Sequence, residues 1–263
     1  MENIVLPMIV AAFVAASASL LGSFAILKRM ALVGDALSHV ALPGMALALL
    51  FQFNPFIGAV AFLFVTVVGI WVIEYRSSLS LDTIVGVFFT ASLAAGALVM
   101  PEHDLIEALF GNITDLSMAE SVFSITLSVL LIILILAIYK KLTLNMVSEE
   151  IAQSIGIKNK RLEFIYLLAF ALGVALGIRF VGALLMGSLV IIPAASAKNI
   201  ARSLRSFMTG SVVFGVAAAS TGIYISHLYA MTPGPIFIMI SSGIFITTLI
   251  IRQLRRPRSG RAS

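Results

Sequence analysis

The chain has no cysteine among its 263 residues, only one tryptophan and three histidines, and just 11% charged residues. The lack of cysteine excludes disulfides and thiolate metal sites. The scarcity of charge excludes an ordinary soluble domain, which carries about a quarter charged residues. There is no GxxxxGK[ST] pattern, so the chain does not bind a nucleotide through that loop. HExxH and GxSxG are missing too, as are paired GxGD aspartates, which leaves an intramembrane enzyme without a catalytic constellation. What fills the space is apolar: 60% of the residues, with a mean hydropathy of +1.12. The expected fold class is therefore all-α, a polytopic integral membrane protein forming a single domain over 1–263.

Nine apolar segments are expected to be helices, at about 4–27, 34–51, 56–73, 83–99, 120–139, 162–178, 182–197, 207–229 and 236–251. The count falls to eight if the short sixth or seventh segment does not cross fully. The first segment is expected to be an uncleaved helix rather than a signal peptide, because Glu2 precedes it and Lys28-Arg29 follow. Between the fifth and sixth segments, 149–155 reads as a short helix that Ser148 caps and Gly156 stops. Cations sort cleanly along this scheme. Two lie at 28–29, one at 76, five between 140 and 161, three between 198 and 205 and five from 252 onward, sixteen of the seventeen. Only Arg179 falls on the other side. The positive-inside rule then puts the N-terminus outside and the C-terminus in the cytoplasm of a plasma membrane. The net charge of +5 is spread over these links and anchors topology, so no nucleic acid is expected as partner; membrane lipid is.

The chemistry concentrates in the second segment, GDALSHVALPGMALALL at 34–50. Asp35 and His39 are four apart and share a helix face. An Asp at bilayer depth costs roughly 2.5–3.5 kcal/mol, so such a pair is functional by default. Carboxylate oxygen and imidazole nitrogen suit zinc and manganese. The bland alternative is a structural polar pair holding this helix to a neighbour. Ser38 points 60–100° away from that face, about one residue's turn, and is expected to make a helix–helix hydrogen bond. Pro43-Gly44 is expected to kink or break the helix. Elsewhere the bland readings are favoured: a solvated loop for Glu102, His103, Asp104 and Glu107, an interfacial place for His227, and gap-filling for the eleven methionines. Arg179, the lone outer cation, serves packing or meets an acidic partner surface.

The second segment resembles the membrane permease of zinc, manganese and iron ABC importers, whose pattern Gly-Asp-x-x-Ser-His-x-x-x-Pro-Gly is matched by Gly34, Asp35, Ser38, His39, Pro43 and Gly44. LFGNITDLS at 109–117, EEIAQSIGIKNKRLE at 149–163, VGALLMGSLVIIPAASAKNIARS at 181–203 and TPGP at 232–235 resemble further stretches of that family, in the right order. The architecture is also similar to the larger cobalamin and siderophore permeases without their first helix. The resemblance implies a transport subunit rather than an enzyme. It implies an ATP-driven importer of a divalent transition metal, zinc first, with manganese or iron as alternatives. The metal is cargo, and no cofactor is bound permanently. The implied partners are a second copy of the permease, cytoplasmic ABC ATPase subunits and an extracytoplasmic metal-binding protein, all at a bacterial inner membrane. Asp35 and His39 become the metal site, doubled to four ligands in a dimer. Lys198, Asn199, Arg202 and Arg205 become the main contact with the ATPase, and Glu149 and Glu150 a second. The rival reading is a proton-coupled secondary transporter with Asp35 and His39 as its relay.

Overall fold

A computed structural model describes residues 4–99, 108–109 and 117–255. Among them are ten helices: α1 (Val5–Leu27), α2 (Val33–Leu50), α3 (Pro55–Arg76), α4 (Leu81–Val99), α5 (Met118–Val147), α6 (Glu149–Ser154), α7 (Asn159–Val181), α8 (Met186–Ile200), α9 (Leu204–Tyr229) and α10 (Pro233–Arg255). No strand occurs among the described residues. Each of the nine apolar segments has its helix. Seven of these helices, α1, α2, α3, α5, α7, α9 and α10, are long and apolar enough to cross a membrane. The apolar stretch of α4, Leu81–Gly96, and the 15-residue α8 are shorter than that measure. Fifteen residues make about 22 Å of helix, less than a core of roughly 30 Å.

The helix ends follow local chemistry. Asn54 caps α3, its Oδ1 accepting from the Phe56 N–H at 2.9 Å, with Pro55 in the first turn. Ser117 and Glu120 form a reciprocal capping box at the start of α5. The short helix α6 begins at Ser148, whose Oγ accepts from the Ile151 N–H at 3.2 Å. It stops before Gly156, which takes φ +82°.

Three boundaries correct the sequence reading. Helix α5 does not end at Tyr139 but runs eight residues further. Lys140-Lys141 mark a change of solvent, yet nothing in Leu142–Val147 breaks a helix, and Leu142 and Asn145 are buried there. Helix α2 is not broken at Pro43-Gly44 and is continuous from Val33 to Leu50. Proline withholds one N–H, the one that would reach the His39 carbonyl, and one missing bond does not end a helix buried along nearly its whole length. Arg179 is not in a turn; α7 continues through it to Val181, and Gly182, at φ +80°, is the stop.

Helix α1 lies in the middle, against α9, α8, α5 and α7. Helix α2 packs on α3, α4, α8 and α7. Small residues let these backbones touch. A Cβ on Gly44 would collide with the Gly58 carbonyl of α3, one on Gly58 with the Gly44 carbonyl, and one on Gly22 with the Val190 carbonyl of α8. In lipid this close approach replaces hydrophobic drive as the source of helix association.

The links gather at two faces. At one, Lys28 Nζ pairs with Glu163 Oε1 at 2.8 Å, joining the end of α1 to the start of α7. Trp71 of α3 donates to the Lys160 carbonyl at 3.3 Å. The end of α8 meets the end of α10 through Asn199, which donates to Thr248 Oγ1 at 3.2 Å and accepts from Arg252 at 3.3 Å. Ala194 and Ala197 of α8 and Phe207 of α9 pack with Ile26 and Leu27 of α1. At the opposite face, Arg179 pairs with Glu120 at 2.7 Å. There too the N–H groups of Ala183 and Leu184 donate to the carbonyls of Ala108 and Leu109 at 2.9 and 3.1 Å. The described cations therefore separate by face as their spacing along the chain implies.

Candidate metal site

The site is built on the first two turns of α2. Gly34 admits two neighbours: a Cβ there would lie 3.3 Å from Phe170 Cζ of α7 and 3.7 Å from Val190 Cβ of α8. The 28–33 segment folds back into the protein, with Met30 and Val33 buried.

Asp35 is half-buried, and its carboxylate lies against the start of α8. A Cβ on Gly187 would be 2.8 Å from Asp35 Cβ and 2.9 Å from its Oδ1. Only a residue without a side chain leaves this carboxylate in place. Gly187→Ala is thus expected to displace Asp35 and to lower metal affinity about 10- to 100-fold, the usual effect of disturbing a ligand's support. The measurement is the concentration dependence of metal uptake, with the amount of protein in the membrane as control. Unchanged affinity would show that Gly187 does not support the carboxylate.

His39 is 8% exposed, and its ring meets Phe89 of α4 edge-on at 5.4 Å. Its Nδ1 is buried and has no hydrogen-bond partner among the described residues. Leaving such an atom unpaired costs on the order of 1–3 kcal/mol, and Pro43 deprives the His39 carbonyl of its helical donor as well. A lone pair in this setting can serve a metal ion. Among the described residues no group of three or more histidine and carboxylate side chains comes together. One chain therefore brings together two side chains of ligand type here, one carboxylate and one imidazole.

Ser38 makes a hydrogen bond to another part of the fold, but to a link and not to the helix expected. The partner is backbone rather than another helix's side chain: its Oγ lies 2.7 Å from the Ala183 carbonyl in the α7–α8 link. Arg179 has its acidic partner within the chain, Glu120. His227 is exposed in the last turn of α9. Glu102, His103, Asp104 and Glu107 lie outside the described residues. On the basic face, Lys198, Arg202 and Arg205 are exposed around the α8–α9 link, and Glu149 and Glu150 are exposed on α6. Asn199 is half-buried and occupied by Thr248 and Arg252. The sequence reading missed Gly187, Ala183 and Phe89, which reach the site only through tertiary contact. The sole sequence sign of the first was a glycine in the run that joins α7 to α8.

Comparison with known proteins bears on the family and the fold. The ABC 3 transport family model matches residues 1–252. The chain is 31% identical over 239 residues to the high-affinity zinc uptake system membrane protein ZnuB of Haemophilus influenzae, covering 89% of this chain and 91% of that one. It is 30% identical over 253 residues to the manganese import system permease protein ScaB of Streptococcus gordonii, covering 95% and 91%. Its fold matches PsaBC from Streptococcus pneumoniae with a TM-score of 0.82 and 27% identity, over 95% of this chain and 94% of that one. A metal-chelate type ABC transporter in an inward-facing conformation shares the fold at a TM-score of 0.78, 18% identical, over 93% and 85%. A bundle of apolar helices that the family model matches over nearly its whole length, with relatives of this coverage, means that the chain belongs to the ABC 3 transport family, the multi-pass membrane permeases of metal importers.

Proposed function

We propose that the chain is the zinc-conducting subunit of an ATP-driven importer, and that Asp35 and His39 hold the ion in transit. The observation that carries this is the pair itself: a buried imidazole with an unpaired Nδ1, one turn from a carboxylate that a glycine leaves room for. Nitrogen beside oxygen suits zinc, as it suits manganese. Two copies of the chain, related by a twofold axis, supply four ligands, enough for a tetrahedral site. Energy comes from ATPase subunits docked on the basic face at the Lys198–Asn199–Arg202–Arg205 segment, with Glu149 and Glu150 as a second contact. A metal-binding protein delivers the ion on the opposite face. The N-terminus is outside the plasma membrane and the C-terminus in the cytoplasm. No cofactor is resident.

Manganese is the second reading, favoured by the manganese permeases that match almost as well as the zinc one. Uptake separates the two. In cells lacking the native gene and expressing this chain with its ATPase, labelled zinc should accumulate. Unlabelled zinc should compete at lower concentration than manganese. Manganese winning that competition would reverse the assignment. Transport that follows the proton gradient without an ATPase would replace the whole scheme with the proton-coupled one.

A further inference from the structure

We infer that Ser38 is a positioning residue whose hydroxyl pins the α7–α8 link over the Asp35–His39 site as its cover on the Arg179 face. The inference rests on the transport reading above for its purpose, but not for its geometry. The link leaves α7 at Gly182, on the Arg179 face, and reaches Met186 at the level of Asp35. Ala183 within it is fully buried. Its carbonyl is 2.7 Å from Ser38 Oγ, and its N–H donates to Ala108 at 2.9 Å. Four residues later Gly187 lies on the Asp35 carboxylate. The link is thus tied below to the turn of α2 that carries the site, and above to the segment at 108–109.

The tie is built to release. Ser38 Oγ lies 2.7 Å from the Ala183 carbonyl and 2.6 Å from the Asp35 carbonyl of its own helix. A serine hydroxyl has one hydrogen and so serves one of these acceptors fully at a time. When the link withdraws, the hydroxyl turns to the Asp35 carbonyl and no buried donor is left unsatisfied. Serine can therefore hold the cover or let it go at little cost to itself. The carbonyl freed on Ala183 is then open to water from the Arg179 face. Alanine at position 38 would remove the tie and keep α2 helical.

The natural absence of cysteine allows a direct test. His39→Cys places a single thiol at a position 8% exposed. In sealed vesicles of either orientation, a membrane-impermeant maleimide should label it slowly. In Ser38→Ala/His39→Cys the labelling rate from the Arg179 face should rise about fivefold to tenfold, the factor expected from one lost hydrogen bond. Ser38→Thr/His39→Cys retains the hydroxyl and should label at the slow rate. Equal rates in the alanine and serine forms would overturn the proposal. So would acceleration only from the basic face, or a threonine form that labels like alanine. No transport is needed for this readout, so its failure is distinct from a failure of the metal-uptake reading.

Discussion

Asp35→Ala and His39→Ala should each abolish metal uptake while leaving the protein inserted at normal levels and bound to its ATPase. Both substitutions remove a polar group from lipid depth, where an Asp is costly by roughly 2.5–3.5 kcal/mol, so neither variant should insert or fold worse than the parent. The expected loss is of function alone. In the proposed four-ligand site, each substitution removes two ligands at once because both copies change. The remaining two cannot complete a tetrahedral shell. Radiolabelled zinc uptake, with ATPase co-purification as control, measures it. Normal uptake by both variants would reduce the pair to a structural contact. Loss of co-purification would show instead that α2 shapes the docking face.

The second large effect is expected on folding. Gly44→Ala and Gly58→Ala each place a methyl on the facing carbonyl of the other helix. Backbone cannot rotate away as a side chain can, so α2 and α3 must separate. Overpacking of this kind costs about 1–3 kcal/mol or more, and the two sites share one contact, so the double variant should not show the sum. Thermal unfolding in detergent is the measurement. Gly86→Ala and Gly243→Ala are the controls, since a Cβ at either meets nothing within 4 Å. Equal stability of all four variants would show that α2 and α3 do not depend on this approach. Because α2 carries the site, the separation should also disturb Asp35 and His39.

Much of this was legible in the sequence where the cause was local. Ser148 and Gly156 mark the ends of α6 by chemistry acting within a few residues. Asp35 and His39 fall on one face because α-helical geometry puts them there. The separation of cations by face follows from charge spacing alone. The misreadings have one physical root: a boundary of one kind was taken for a boundary of another. Lys140-Lys141 end the apolar stretch, and the helix continues because its hydrogen bonds do not depend on which solvent surrounds it. Pro43 removes a donor, and the helix continues because burial against four neighbours holds the rest. Gly187, Ala183 and Phe89 were out of reach for another reason. Each acts on the site from more than a hundred residues away or from another helix, and no local pattern records such a contact.

The continuation of α5 has a mechanical consequence. Thirty residues make a rod of about 45 Å. Lys140 is twenty-two residues from its start, about 33 Å along it, which is one bilayer core. Leu142–Val147 carries the rod on past Lys140-Lys141, with α6 following after a single residue, Ser148. At its far end the rod is fastened by Glu120 to Arg179, two residues before the link that covers the site ends its helix. The rod thus joins the Arg179 face to α6 with no break in its helix.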